Sequence, residues 1–157
     1  MNYYLNIGSN MGDRRDNLYR AVVALAALAD DGFAVSSIVE SEPWGFESEH
    51  GFLNIGMHLR SKLSPHKMLD RIHKIERRLG SASHRDSKGN YIDRLVDIDI
   101  VAVDDMVIDT PDLQVPHAHL AEREFFLRPM MELAPEWVHP LTGLTAAQML
   151  ESLVSSS

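Results

Sequence analysis

The stretch Tyr91-Ile92-Asp93-Arg94-Leu95-Val96-Asp97-Ile98-Asp99-Ile100-Val101-Ala102-Val103 decides the fold. From Leu95 onward β-branched residues dominate a run of about the usual strand length. Side chains alternate faces along a strand. Val96, Ile98, Ile100 and Ala102 therefore share one face, and Leu95, Asp97, Asp99, Val101 and Val103 share the other. Both faces are apolar except at the two aspartates, the pattern of a central strand covered on both sides. Side chains two apart on a strand stand roughly 6–7 Å from each other. Burying two carboxylates there without a partner is costly, and their like charges repel. A hard divalent cation answers both problems. Mg²⁺ takes oxygen ligands, keeps several waters and uses one or two carboxylates together with substrate phosphates. The competing reading is an edge strand with two solvated aspartates, which the apolar flanks disfavour.

The chain has 157 residues, 45% hydrophobic and 24% charged, which suits one domain with a real core, spanning 1–157. It has no cysteine, so neither a disulfide framework nor a thiolate metal site is available. No apolar run is long enough for a membrane span and no signal-peptide pattern opens the chain. These absences predict a cytoplasmic location and no membrane partner. The formal net charge of −8 argues against nucleic-acid binding, which needs a basic surface. A nucleotide held by a metal and a few arginines remains compatible with it.

Along the chain, Asn2 to Ile7 reads as a strand. The turn-rich loop Gly8-Ser9-Asn10-Met11-Gly12-Asp13 follows; it lacks the lysine and spacing of a phosphate-cradling P-loop. Leu18, Ala21, Val22, Leu25 and Leu28 predict a helix over 14–29 with a core-facing stripe. Phe33 to Glu40 reads as a second strand. The loop Ser41-Glu42-Pro43-Trp44-Gly45-Phe46 places two large aromatics where they either tuck onto the core or wall a flat apolar ligand. Phe52 to Arg60 alternates as a third strand, with Asn54 able to read the polar edge of a heterocycle. Ser64-Pro65 starts a helix as N-cap and first residue, Leu63 and Met68 staple it, and Gly80 ends it. Glu76 lies on or beside its apolar stripe. Residues 81–93 form a polar loop with Arg85 and Tyr91, long enough to serve as a lid over a charged ligand. Asp104-Asp105 predicts a hairpin turn before Met106-Val107-Ile108. His117 and Arg123 form a candidate phosphate-binding pair. Residues 132–154 read as packing elements ending in a helix, and Ser155-Ser156-Ser157 as a frayed tail.

Taken in order, Gly8-Ser9-Asn10-Met11-Gly12-Asp13, Pro43-Trp44-Gly45, Phe52-Leu53-Asn54, Ile75-Glu76, Asp93-Arg94-Leu95-Val96-Asp97-Ile98-Asp99, Val115-Pro116-His117, Arg123-Glu124-Phe125 and Ala134-Pro135 resemble the 6-hydroxymethyl-7,8-dihydropterin pyrophosphokinase family of the folate pathway. Each piece alone is a weak signal; the ordered set is specific. The resemblance implies an α/β fold of ferredoxin-like type, an antiparallel sheet flanked by helices, with long mobile active-site loops. It implies transfer of the diphosphate of ATP to the pterin hydroxymethyl group, leaving AMP, with a monomer acting on two small-molecule substrates.

Carried onto this sequence, the resemblance makes Asp97 and Asp99 the ligands of two Mg²⁺ ions, with Arg94 and Arg85 assisting catalysis. Glu42, Pro43, Trp44, Phe52, Asn54 and Phe125 become pterin contacts. His73, Glu76, Tyr91, Arg94, His117 and Arg123 fall on the ATP side. The chain departs from the family's usual arginines at Ser81 and Ser83, with Arg85 as the candidate replacement. Asp93 stands for a proline, and Asp112 for an arginine near the adenine or ribose. A non-catalytic ferredoxin-like module binding a metal or ligand is the alternative from another class, since fold alone does not give function.

Overall fold

The alternation of Leu53, Ile55, Met57 and Leu59 with Asn54, Gly56, His58 and Arg60 produces strand β4, Phe52–Arg60, at the bounds the pattern predicts. The computed structural model describes residues 1–41, 51–81 and 95–156, residue 81 through its backbone alone. The other elements are β1 (Asn2–Ser9), α1 (Arg14–Ala26), β2 (Phe33–Val35), β3 (Val39–Ser41), α2 (Pro65–Ser81), β5 (Asp97–Val103), β6 (Ile108–Thr110), β7 (Leu113–Val115), α3 (Glu124–Leu133) and α4 (Ala146–Ser155). Strand β1 lies between β4 and β5, antiparallel to both, and the sheet runs β2-β4-β1-β5 with β3 also on β4. Helix α1 connects β1 to β2, and α2 connects β4 to β5. With β2 and β3, both paired to β4, counted as two parts of one strand, that is the ferredoxin-like βαββαβ order. Helices α1 and α2 cover one face through Leu18, Leu25, Met68, Ile72 and Ile75, against Leu5, Ile7, Met57, Ile98 and Ile100. Helices α3 and α4 form a second layer on the other face, where Phe126, Leu127, Met130 and Met149 pack with Val101 and Ala102.

The expected central strand is corrected. Among the described residues β5 pairs with β1 alone and is an edge of the sheet. Its apolar flanks reflect cover by the two helical layers, not strands on both sides. The free edge is managed locally. The Glu76 carboxylate accepts from Ile98 N–H at 2.9 Å, and Val101 C=O accepts from His117 N–H at 2.8 Å. The face assignment also changes midway. Tyr4 pairs with Ala102 but Leu5 with Ile100, so Val101 is a bulged extra residue. Asp97, Asp99, Val101 and Ala102 thus face α3 and α4, while Val103 joins Ile98 and Ile100 on the other side.

The single strand expected over 33–40 is broken into β2 and β3. At the break Ser36 N–H donates to Gly56 C=O at 2.9 Å, and its hydroxyl accepts from Gly56 N–H at 2.8 Å. Ser37 N–H turns away to the Glu132 carboxylate of α3 at 2.9 Å. Helix α1 ends at Ala26, short of Ala29, because Leu28 and Ala29 bond back three residues in a tighter last turn. Helix α2 starts at Ser64-Pro65 as expected and runs through Gly80 to Ser81. Asp104-Asp105 is a turn but not a hairpin: β6 pairs with β7 instead of returning on β5. Asp104 also accepts from both the backbone and side-chain N–H of Asn2, at 2.9 and 2.8 Å. The tail expected to fray is helical at Ser155, in a helix opened by a Thr145/Gln148 capping box.

Candidate active site

Cross-strand partners project from the same face of a sheet. Gly8 pairs with Asn54 on one side and Asp97 on the other; Asn6 pairs with Gly56 and Asp99. These six residues tile the sheet face that α3 and α4 only partly cover. The two glycines keep it low. A Cβ on Gly56 would lie 2.4 Å from Pro129 Cβ of α3, and one on Gly8 would lie 2.9 Å from Asn54 Oδ1. Helix α3 therefore seats directly on Gly56, and the Asn54 carboxamide lies over Gly8. Asn54 is buried and its Nδ2 donates to Ser41 Oγ at 2.9 Å and Val39 C=O at 3.3 Å. Its donor side is committed within the fold.

Phe125, in the first turn of α3, closes a cavity of about 170 Å³ with Asn6, Gly8, Phe52, Asn54, Asp97, Asp99 and Arg123. The Arg123 guanidinium lies over the rings of Phe125 and Phe126 at 5.6 and 5.2 Å. A larger cavity of about 500 Å³ opens on the other side of the aspartates, with His73, Glu76, Asp112, Gln114, His117 and His119 among its lining. Asp97 and Asp99 line both. Asp97 is exposed and the Asp99 side chain 41% exposed, so their repulsion is relieved by solvent as well as by any bound cation.

His117 stands beside them. Its Nδ1 accepts from His119 N–H at 3.1 Å, which leaves the ring proton on Nε2, and Nε2 is 3.7 Å from Asp99 Oδ1. The ring packs edge-on against Phe126 with centroids 4.8 Å apart. At the far rim Asp112 bonds the Thr110 hydroxyl at 2.8 Å, and this bond, helped by its backbone and His66, holds its carboxyl below the usual range.

The structure brings Phe52, Asn54, Phe125 and Arg123 together at the small cavity, and His73, Glu76 and His117 at the large one. Arg123, expected on the ATP side, lines the small cavity with Phe125. Glu76 also serves the sheet, through Ile98 N–H. Glu42, Pro43, Trp44, Arg85, Tyr91 and Arg94 lie outside the described residues, as do Ser83, Asp93 and most of the predicted lid. Sequence reading missed Asn6, Gly8 as a floor, and Gln114 and His119. The signal for Asn6 was present: a carboxamide in mid-strand between Leu5 and Ile7 needs a partner. Gly8 reads in the sequence as part of a turn-rich loop, whereas it belongs to β1 and lies opposite Asn54.

A family model described as 7,8-dihydro-6-hydroxymethylpterin-pyrophosphokinase matches residues 4–135. The chain is 40% identical over 138 residues to a 2-amino-4-hydroxy-6-hydroxymethyldihydropteridine pyrophosphokinase of Porphyromonas gingivalis, covering 87% of this chain and 92% of that protein. A protein of the same name from Aquifex aeolicus is 36% identical over 138 residues, covering 88% and 83%. In fold, the chain is similar to a Plasmodium falciparum HPPK-DHPS crystal structure with pteroate, at a TM-score of 0.74 and 15% identity over 98% of this chain and 42% of that one. Sequence match and fold agree, and the chain belongs to the 7,8-dihydro-6-hydroxymethylpterin-pyrophosphokinase family.

Proposed function

We propose that the two cavities divide the family's reaction between them, with ATP in the larger, the pterin in the smaller, and Asp97 and Asp99 at the junction where the diphosphate crosses. The family transfers the diphosphate of ATP to the hydroxymethyl group of the dihydropterin, in folate biosynthesis. The observation that carries the division is that both carboxylates line both cavities. The family match gives no support to a non-catalytic module. One sheet builds both cavities, which supports treating 1–157 as a single catalytic domain.

In the reaction a bond forms from the hydroxymethyl oxygen to the β-phosphorus of ATP. The bond from that phosphorus to the α–β bridging oxygen breaks, AMP leaves, and the hydroxyl proton is lost. Such chemistry asks the protein mainly for alignment and charge neutralisation. Asp97 and Asp99 fit Mg²⁺ in donor type, two carboxylates that line the same cavities. Among the described residues no group of three or more ligating side chains forms, so phosphate oxygens and water would complete the coordination. Mg²⁺ there supplies charge neutralisation at the phosphates and acidity at the hydroxymethyl group.

The chain's own residues do the rest. Nε2–H of His117 donates to a phosphate oxygen. Glu76 holds the backbone between the two aspartates. Phe125 stacks on the pterin, a contact worth about 0.5–1.5 kcal/mol beyond area burial. Asn54, its donor committed to Ser41 and Val39, offers Oδ1 to an N–H on the pterin edge.

The test is to incubate the protein with ATP, Mg²⁺ and 6-hydroxymethyl-7,8-dihydropterin and separate the nucleotides. AMP forming in step with the pterin diphosphate is expected. ADP as the product would overturn the placement of the β-phosphorus at the aspartates.

A further inference from the structure

A proline inside a helix removes the N–H that would bond the carbonyl four residues earlier. Pro129 is the sixth residue of α3, so the carbonyl it leaves without a helical donor is that of Phe125. That carbonyl is met from the sheet: Asn6 Nδ2 donates to Phe125 C=O at 2.7 Å, across 119 residues of chain. Asn6 is 3% exposed, sits mid-strand opposite Asp99, and lines the small cavity beside Phe125. The proline that frees the carbonyl is also the residue seated on Gly56, the other cross-strand partner of Asn6. One side chain thus ties the first turn of α3 to the strand pair that carries the aspartates.

We propose that Asn6 is a positioning residue, which fixes the Phe125 ring as a wall of the small cavity by holding the backbone carbonyl that Pro129 leaves without a helical partner. This rests on the small cavity being the pterin compartment. A merely structural Asn6 would weaken both ligands alike or stability alone. A positioning Asn6 acts on one cavity, and only while Phe125 C=O lacks a helical donor. Pro129→Ala restores that N–H and keeps the Cβ that packs on Gly56, so it removes the need for Asn6 with little other change.

The test is a double-variant cycle of Asn6→Ala, Pro129→Ala and the pair. Calorimetry reads the affinity for 6-hydroxymethyl-7,8-dihydropterin, with Mg²⁺ and α,β-methylene ATP saturating, and separately for the ATP analogue. Asn6→Ala should weaken the pterin about tenfold, as loss of a buried hydrogen bond does, and the nucleotide less than about twofold. In the Pro129→Ala background its effect on the pterin should fall below about twofold. The unliganded protein gives a second reading through fluorinated phenylalanine, of which there are five, with the Phe125 resonance assigned by Phe125→Leu. That resonance should shift or broaden in Asn6→Ala and return in the pair. An unchanged resonance overturns the proposal whatever the affinities, and so does equal weakening of both ligands or an undiminished effect in the pair. If the unsubstituted protein binds the nucleotide but no pterin, the reading of the cavity fails instead, and the resonance alone decides the role of Asn6.

Discussion

Replacing Gly56 with alanine tests whether α3 is seated on the sheet as closely as the site requires. The added Cβ would lie 2.4 Å from Pro129 Cβ, with Leu133 Cδ1 at 3.3 Å and Pro129 Cγ at 3.4 Å. Carbon pairs settle at about 3.5–4.0 Å, so the first contact is short by about 1.1–1.6 Å. Neither partner can swing aside: one atom belongs to a strand paired on both sides, the other to a ring built into a helix. Drift of the helix is resisted by Asn6 at Phe125 C=O and by Glu132 at Ser37. The expected cost is that of overpacking, about 1–3 kcal/mol. For a chain of this size each kcal/mol lowers Tm by about 2–4 °C, giving a fall of about 2–12 °C in calorimetry. Because α3 carries Phe125, pterin affinity should fall with it, while the affinity for a nucleotide alone changes little. A Gly56→Ala protein that melts within about 1 °C of the unsubstituted one and binds pterin normally would refute the close seating.

Gly8→Ala should act differently. Its Cβ meets the Asn54 carboxamide at 2.9 Å, so the amide is displaced from Ser41 and Val39 and pterin affinity should fall about tenfold, as read by calorimetry beside a nucleotide control. Asp97→Ala removes an exposed side chain, so it should leave Tm within about 2 °C while turnover falls about a hundredfold or more; near-normal turnover in the AMP assay would remove Asp97 from the reaction. Burial pushes His58 and His139 below the usual histidine pKa, so the unfolded chain binds more protons than the native one through that window. Their contribution is full above about pH 6.5 and is lost as pH falls below it. His58→Gln, which keeps a donor to Asn2 Oδ1, should flatten the decline of Tm with acidity.

Strands β1, β4 and β5 and the starts of the first two helices are legible in the sequence, because each rests on a local pattern, whereas the break between β2 and β3 and the pairing of β6 with β7 are not. Alternation in 52–60 needs no partner to be read, and neither does a Ser-Pro helix start. Position within the sheet is another matter. Apart from Asp97 and Asp99, the run from Val96 to Val103 is apolar on both faces because two helical layers cover it, and that same pattern serves a central or an edge strand. Its edge was readable only through Glu76 and His117, which bond its outer groups from elsewhere in the chain. Nor can a bulge be counted from one strand. Val101 is an extra residue only by comparison with Tyr4 and Leu5, and it reverses the faces of Ala102 and Val103.

The same distinction explains what was missed in the site. Asp97 and Asp99 declare themselves because like charges two apart on an apolar strand lack a local explanation. Asn6 and Gly8 have bland local explanations, a strand asparagine and a loop glycine. Their meaning lies in their partners: Gly8 is bare because Asn54 occupies the space above it, and Asn6 is polar because Pro129 leaves a carbonyl to be met. A proline that breaks a ladder and a glycine that admits it are each unfavourable alone, at about 3 and 1 kcal/mol in element interiors. Here the helix retains Pro129 where the sheet supplies both Gly56 beneath it and Asn6 for the freed carbonyl. The pair of local violations thereby fixes the first turn of α3, and with it Phe125 and Arg123, against the strands that bear the two aspartates. Local rules fail here because the surfaces that meet belong to distant parts of the chain, and the compartment wall is built where they meet.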